Sequence, residues 1–207
     1  MTGKKHYHHG DLRRVLLDEA ALLLREEGEA GLSMRRLAAR VGVSRTAPYH
    51  HFSDKQDLLC AIAEEGFSRY LKLLTLPAGD LSERRMRRFV RDYLTFALEN
   101  VEYYDLMFGG QLWRGGAITD SLKAEAHGSF RIYIEQVRSW QQQGYVDPNL
   151  DVLRYAQVSW STLHGMSRLV IDGVYPDLEA IGAMCDQAAA MFWHELRGGC
   201  PEHSPRA

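Results

Sequence analysis

Five cationic side chains stand close together in residues 33–55, a segment that reads SMRRLAARVGVSRTAPYHHFSDK. They are Arg35, Arg36, Arg40, Arg45 and Lys55, and Asp54 is the one acidic residue among them. The segment has a formal charge of +4 and the whole chain has −2, so the remaining residues are acidic on balance. A basic surface on an otherwise acidic protein is typical of a face that binds nucleic-acid phosphates, with an affinity that falls as salt rises. We therefore expect this segment to bind DNA.

The same segment has the spacing of a helix-turn-helix. Ser33 is a good N-cap for a helix over residues 34–41, in which Leu37 and Val41 lie on one apolar face. Gly42 follows at the position where the motif needs a residue with positive φ. The segment therefore predicts a first helix, a tight turn and then a second helix.

The second helix of the motif decides which side chains can reach a DNA groove. Ser44 is placed to cap this helix, and Pro48 and Phe52, four residues apart, are predicted to face the core. The opposite face then presents Arg45, Thr46, Tyr49 and His50. Pro48 lacks a backbone N–H, so the first turn must be tight or must start late. Spacing alone also fits a helical hairpin without DNA contacts, but the local positive charge favours the DNA-binding interpretation.

The elements around the motif are predicted to be helical as well. A helix over residues 11–27, ended by Gly28, would pack behind the motif, and the S-x-x-Q spacing of Ser53 and Gln56 starts a long helix that ends before Pro77. Further helices are predicted over about 81–100, 119–143, 148–172 and 176–197. No segment shows strand alternation, so we expect an all-α fold.

The clearest break in the chain lies near residues 75–80, where Pro77, Gly79 and Asp80 fall together. We expect a domain over residues 1–55 that carries the motif, followed by a connecting helix over 56–76. A larger helical domain would occupy 77–197, and a disordered tail would occupy 198–207. The arginines at 84, 87, 88 and 91 form either a second nucleic-acid patch or, as we favour, a solvated helix face.

The cysteine count and the hydropathy exclude several classes of protein. Cys60, Cys185 and Cys200 are widely spaced and odd in number, so neither a disulfide framework nor a zinc site is indicated, and we predict no metal and no cofactor. No apolar run reaches the roughly 18 residues that span a bilayer, and the N-terminus lacks the apolar core of a signal peptide. We therefore expect a cytoplasmic protein that does not bind membranes.

An enzyme is the main alternative class. His164 lies on an apolar helix, where a packed core histidine is commoner than a catalytic base. His194 and Glu195 fail the metalloprotease pattern because Gly198 stands where that pattern needs a second histidine. The sequence also lacks a glycine-rich phosphate loop and a nucleophile elbow, so we assign no catalytic residue.

Aromatic residues and methionine lie beside glycines in residues 101–116. This composition suits an apolar cavity that changes shape, although core filling has the same composition. We expect a small apolar or aromatic molecule to bind near Tyr93, Tyr104, Met107, Phe108, Trp160 and His164. The two C-terminal helices have wide apolar and small-residue faces, which could bury each other within one subunit or, as we favour, pair with their copies in a homodimer.

The stretch LSMRRLAARVGVSRTAPYHHFSDKQDLL resembles the DNA-binding domain of the TetR family of bacterial transcriptional regulators. The resemblance covers about the first 60 residues and includes Gly28, the block from Tyr49 to Phe52, and Lys55. Pro48 departs from the leucine that is commoner at its position in the family. The remaining chain resembles the family in its helix count, and WSTLHG, with Trp160, His164 and Gly165, resembles the Trp and His-Gly signature of one C-terminal subtype.

The resemblance implies an all-helical homodimer that binds a palindromic operator, usually as a repressor, and a small-molecule effector in the larger domain. It implies that Arg35 and Arg45 contact base edges, with Thr46 and Ala47 offering methyl contacts to thymine. The residues implied to hold phosphates are Ser33, Ser44, Tyr49, His50, His51 and Lys55. Two alternatives stay open: a helical ligand-binding protein or enzyme whose hairpin is only structural, and an architectural DNA-binding protein without a ligand.

Overall fold

The computed structural model of the chain describes residues 12–74, 81–115, 118–175 and 180–198. Every regular element in these ranges is helical, which confirms the predicted all-α fold. The α-helices are α1 (Leu12–Gly31), α2 (Met34–Val41), α3 (Lys55–Leu74), α4 (Glu83–Glu99), α5 (Val101–Phe108), α6 (Gly110–Arg114), α7 (Asp120–Gln142), α8 (Val152–Ile171) and α9 (Ile181–Leu196). None of the described helices is both long enough and apolar enough to cross a lipid bilayer.

The helices divide between two compact units. The first unit holds the described residues of 1–68 and 101–126, and the second holds those of 69–100 and 127–207. The helix-turn-helix therefore shares its unit with α5, α6 and the start of α7. The boundaries expected at residues 55, 76 and 197 separate functional domains. The division into compact units does not test them, so they stay predictions.

The first helix of the motif forms as its sequence predicts. The Ser33 hydroxyl accepts a hydrogen bond from the Arg36 backbone N–H at 3.2 Å, which satisfies one of the free donors at the start of α2. Gly42 ends the helix with a φ of 77°, and its N–H donates to the Ala38 carbonyl at 3.0 Å. Both the predicted cap and the predicted positive φ are confirmed.

The second helix of the motif differs from its prediction. Ala47–His50 form a 3₁₀-helix instead of an α-helix, and Ser44 does not cap it. Pro48 has no N–H to donate four residues back, and the Tyr49 N–H donates to the Thr46 carbonyl three residues back, at 3.1 Å. The Ser44 hydroxyl instead pairs with the Thr46 hydroxyl at 3.1 Å. The tight turn expected at Pro48 thus extends over the whole element.

Two other helix ends also differ from the sequence expectation. The start of α3 is held by Asp54, whose carboxylate accepts from the Asp57 N–H at 2.8 Å, while the Asp57 carboxylate accepts from the Ser53 N–H at 2.8 Å. The predicted box of Ser53 with Gln56 is therefore wrong, because acidic side chains satisfy these donors better at a helix N-terminus. Gly28, the predicted end of α1, is instead a kink with φ 68° and ψ −176°, after which the helix continues to Gly31.

Within the first unit, α5 packs closely on α3. A Cβ atom added at Gly66 of α3 would lie 2.7 Å from the Met107 sulfur and 3.2 Å from the Tyr103 Cβ. The rings of Phe67 and Phe108 meet edge to face at 5.5 Å. The absence of a side chain at position 66 therefore permits the approach of the two helices.

Within the second unit, α4 packs against α8 and α9. Ser82 caps α4 by accepting from the Arg85 N–H, and the predicted break at Pro77, Gly79 and Asp80 lies outside the described residues. Asp151 caps α8 by accepting from the N–H groups of Leu153 and Arg154, both at 3.1 Å. The expected start of this helix at Pro148 is therefore wrong, and the chain from 143 to 151 is a longer loop.

Candidate nucleic-acid interface and aromatic clusters

The short 3₁₀-helix separates a buried side from an exposed side, as the spacing predicts. Pro48 is buried and Phe52 is 1% exposed, so these two residues anchor the element in the unit's core. Tyr49 is 55% exposed, and Arg45, Thr46 and His50 are exposed as well. The arrangement places cationic, hydroxyl and imidazole groups together on an accessible surface, where hydrogen bonds to phosphates or base edges are available.

The arginines of α2 divide into two kinds. All three are exposed to solvent, but only Arg36 and Arg40 bind carboxylates among the described residues. Arg36 forms an ion pair with Glu27, and Arg40 binds Glu19 at 2.8 Å and Glu26 at 2.9 Å. These carboxylates hold the pKa of the Arg40 guanidinium above its ordinary value, and Arg40 in turn lowers the pKa of Glu26. Arg36 and Arg40 are therefore structural links to α1 before any DNA is considered.

Lys55 also has an intramolecular partner. Its Nζ donates to the Glu29 carbonyl at 2.6 Å, which joins the start of α3 to the end of α1. The charge count of residues 33–55 could not distinguish cations with an intramolecular partner from the others. The signal that the sequence did offer is the run of acids at 19, 26 and 27, since helical spacing puts Glu19 and Glu26 two turns apart on one face of α1.

The remaining predicted DNA contacts have mixed surroundings. The Ser33 hydroxyl is engaged in the α2 cap, and the Ser44 hydroxyl in its pair with Thr46. Ala47 and His51 are half-buried. Arg13 of α1, which the sequence did not single out, places its guanidinium 5.4 Å from the centre of the Phe52 ring. This cation–π contact helps to hold the Phe52 ring against α1.

The six residues expected near an effector fall into two clusters, one in each unit. In the first unit Tyr104 and Met107 are buried, at 0% and 1% exposed, and Phe108 is half-buried. The Tyr104 and Phe108 rings lie 4.9 Å apart, with Phe67 of α3 beside Phe108. All three predicted residues of this cluster belong to α5.

In the second unit the predicted residues Tyr93 and Trp160 both contact the Tyr70 ring, at 5.3 Å and 5.6 Å between centroids. Tyr93 is buried and Trp160 half-buried. His164, one turn after Trp160, is half-buried, and its pKa is lowered by burial and by the neighbouring Arg168. The sequence did not single out Tyr70, although Tyr70 joins the two predicted aromatic residues.

A groove of about 380 Å³ lies between α8 and α9 in the second unit. Val158 is 65% exposed and Met191 57% exposed on its two walls, and Arg154 and Glu195 also line it. Large apolar side chains with this exposure are more often covered by a partner when they stand together than when they are scattered. The two helices therefore present a surface suited to association.

The arginine face of α4 has charged neighbours. Arg87 binds Glu83 at 2.6 Å, and Arg88 lies 3.4 Å from Asp92. Arg91 makes two hydrogen bonds to the Asp186 carboxylate of α9, at 2.9 and 3.0 Å. These ion pairs support the interpretation of this face as a solvated and partly structural surface.

Two family models match the chain. Residues 16–62 match the bacterial regulatory proteins of the tetR family, and residues 86–192 match the tetracyclin repressor-like C-terminal domain. The transcriptional repressor AcnR of Corynebacterium glutamicum is 34% identical over 95 residues, which cover 46% of this chain and 45% of that protein. The class C tetracycline repressor protein of Escherichia coli is 46% identical over 52 residues, which cover 25% of this chain and 24% of that protein. The chain thus spans less than half the length of each of these curated relatives.

Solved structures match over a larger share of the chain. A protein of unknown function from Rhodococcus sp. RHA1 is 34% identical with a TM-score of 0.79, and the match covers 93% of this chain and 99% of that one. The fatty acid degradation regulator FadR of Bacillus halodurans shares the fold at 17% identity and a TM-score of 0.69, over 88% of this chain and 96% of that one. Since the C-terminal family match alone takes in more than half of the residues, the chain belongs to the TetR family of bacterial regulatory proteins.

Proposed function

We propose that this chain is a cytoplasmic transcriptional repressor that binds a palindromic DNA operator as a homodimer and leaves it when a small molecule binds. The observation that carries the proposal is the segment around the 3₁₀-helix of the motif, in which Pro48 and Phe52 are buried and Arg45, Thr46 and Tyr49 are exposed. Family membership supports the same function, because both parts of the chain match regulator models.

In this proposal the exposed arginines read the sequence of the operator. Arg35 and Arg45 are exposed and contact base edges, and an arginine bidentate to guanine contributes about 1 to 3 kcal/mol of discrimination. Thr46 and Ala47 offer methyl groups to thymine. The phosphate contacts, which fix position without reading sequence, come from Ser33, Ser44, Tyr49, His50, His51 and Lys55. Among these, Tyr49 is 55% exposed, whereas Lys55 already donates to the Glu29 carbonyl.

The proposed dimer forms through α8 and α9. The exposed side chains of Val158 and Met191 would be buried against the same surface of a second copy, as a two-fold interface requires. Arg154 and Glu195 line the same groove and have opposite charges. Arg154 of one copy can therefore face Glu195 of the other copy across the two-fold axis. Such a dimer presents two recognition elements to half-sites about one DNA turn apart, roughly 34 Å.

The proposed effector is an apolar or aromatic small molecule. The candidate contacts form two separate clusters, Tyr104, Met107 and Phe108 of α5 in the first unit and Tyr93, Trp160 and His164 in the second unit. Phe108, Trp160 and His164 are half-buried and offer ring surfaces to a ligand within their own unit. Binding would favour a spacing of the two recognition elements that no longer fits successive major grooves. A DNA-releasing ligand that protects other residues from hydrogen exchange, and leaves residues 101–108 and 152–171 unaffected, would contradict this assignment.

The function is tested by selecting DNA from a pool of random duplexes with the purified full chain at two salt concentrations. We expect enrichment of an inverted repeat, whose affinity falls steeply between the lower and the higher salt because phosphate contacts release counterions. If the folded protein enriches no sequence, the proposal fails, and the helical hairpin is then only structural. If an inverted repeat is enriched but no small molecule releases the protein from it, the architectural alternative without a ligand is favoured.

A further inference from the structure

We propose that the ion pair between Arg25 of α1 and Glu102 of α5 is a positioning contact that links the state of α5 to DNA occupancy at the helix-turn-helix. The inference rests on the proposed function and adds a second, non-covalent route beside the connecting helix α3. All the residues that carry it belong to the first compact unit.

The Glu102 carboxylate is placed where a charge needs a partner. Its side chain is 6% exposed, and Arg25 binds both of its oxygens, with Nε to Oε2 at 3.0 Å and Nη2 to Oε1 at 2.7 Å. A buried carboxylate without such a partner is strongly unfavourable, and bidentate pairing also fixes the relative orientation of the two groups. Arg25 therefore helps to fix the position of the first turn of α5, together with the packing of α5 on α3.

Three consecutive residues of α1 connect α5 with the DNA-binding motif. Arg25 binds Glu102 of α5, Glu26 binds Arg40 of α2, and Glu27 binds Arg36 of α2. Gly28 then interrupts the helix geometry immediately after them. A shift of α5 that moves the α1 backbone at Arg25 would therefore also move the carboxylates that hold α2.

The contact with α3 makes α5 sensitive to both helices that flank the motif. Met107 and Tyr103 lie so close to Gly66 that a Cβ there would come within 2.7 and 3.2 Å of them. Interfaces packed this closely shift as a unit, because closely packed side chains do not deform continuously. The same helix carries Tyr104, Met107 and Phe108, which belong to the proposed effector site.

Linkage between two sites is reciprocal, so DNA binding must stabilise α5 if α5 influences DNA binding. This gives a test that needs no identified effector. We would measure hydrogen exchange of the full chain, with and without the operator duplex selected above, in the wild type, in Glu102→Gln and in the double variant Arg25→Gln/Glu102→Gln. The double variant leaves no unpaired buried charge, so it remains informative if either side chain alone is needed for folding.

In the wild type we expect saturating operator to slow exchange in residues 101–108 by about fivefold or more, the lower end of usual coupling. In both variants the slowing should persist in residues 33–52, which contact DNA, and fall to less than half in 101–108. Asp186→Asn is the matched control, since it breaks the two-bond contact with Arg91 in the other unit and should leave the slowing of 101–108 unchanged. The unfolding temperatures of the wild type and all variants, measured in parallel, distinguish a loss of coupling from a loss of stability.

Equal slowing of residues 101–108 in the wild type and in both variants would overturn the inference. So would an operator-saturated wild type with no slowing there, while the proposed function would stand. A chain that binds no duplex at all would overturn the proposed function and this inference together.

Discussion

At the scale of single residues, arginines a few positions apart have different environments. The four arginines of residues 33–55 are all exposed, but Arg36 and Arg40 are bound by carboxylates of α1. The sequence-based choice of Arg35 and Arg45 as base contacts agrees with this division, although it came from the family pattern. Charge counting treated all four alike, because it contains no information about partners distant in sequence.

Arg45→Ala should relax base preference more than it weakens DNA binding in general. Losing a guanine-reading side chain should reduce the operator-to-random affinity ratio by about 5-fold to 150-fold, which corresponds to 1 to 3 kcal/mol. Tyr49→Phe should instead weaken operator and random duplex by similar factors, because a phosphate contact carries no sequence information. Fluorescence anisotropy at fixed salt measures both affinities. Arg14→Ala, an exposed arginine on α1, is the control; an equal loss on both duplexes in the Arg45 variant would contradict its role.

Arg40→Met should lower stability at neutral pH and lose this effect in acid. Arg40 lowers the pKa of Glu26 below its ordinary 4.5, so the pairing stabilises the fold above about that pH and stops doing so as pH falls through the folded-state value. We would follow thermal unfolding by circular dichroism from neutral pH to about pH 3. The unfolding temperature of the wild type should approach that of the variant as the pH falls. Arg14→Met serves as the comparison, and a gap that stays constant down to the lowest pH would refute the linkage.

At the scale of elements, sequence patterns predicted what depends on local chemistry. The Ser33 cap, the positive φ of Gly42 and the buried side of the 3₁₀-helix were all predicted correctly. Helix starts were predicted less well, since several polar side chains near α3 and α8 could serve as caps, and the acidic Asp54 and Asp151 fill that role. Caps compete within about 1 kcal/mol of one another, which is less than packing contributes.

Gly66→Ala should destabilise the chain although alanine is the better helix former. The propensity gain is about 1 kcal/mol, while overpacking against Met107 and Tyr103 costs about 1 to 3 kcal/mol. We expect a net loss of roughly 1 kcal/mol in denaturant unfolding. Gly128→Ala in α7 is the matched control, because nothing lies within 4 Å of its added Cβ and it should be neutral or stabilising. If the Gly66 variant is as stable as the Gly128 variant, α5 can move enough to accommodate the added methyl group.

At the scale of the whole molecule, the sequence predicted the class of fold but not the grouping of its parts. The six expected effector residues are separated by up to 71 positions, and the structure divides them between two compact units. Their aromatic character was visible in the sequence, but the contact of Tyr70 with both Tyr93 and Trp160 was not. Such contacts depend on how α3, α4 and α8 meet, which no local pattern specifies.

Met191→Glu should convert the proposed dimer into a monomer. Burying an unpaired carboxylate in an apolar interface is costly, and we expect the dimer dissociation constant to rise by about 30-fold or more. Sedimentation velocity over a range of protein concentrations measures this constant. Ile132→Glu on α7 replaces another exposed apolar side chain, 41% exposed, and should leave the dimer intact. A Met191 variant that remains fully dimeric would exclude α9 from the interface.

The 3₁₀-helix at residues 47–50 has an evolutionary consequence. Its geometry depends on Pro48, a buried residue without a backbone N–H, and not on the exposed residues that would face DNA. Proline and leucine codons differ by a single base, and leucine would restore the missing donor. A single nucleotide change at this codon would therefore permit a regular α-helical turn. If the exposed residues bind DNA as proposed, such a change would alter how they face DNA although position 48 itself is buried.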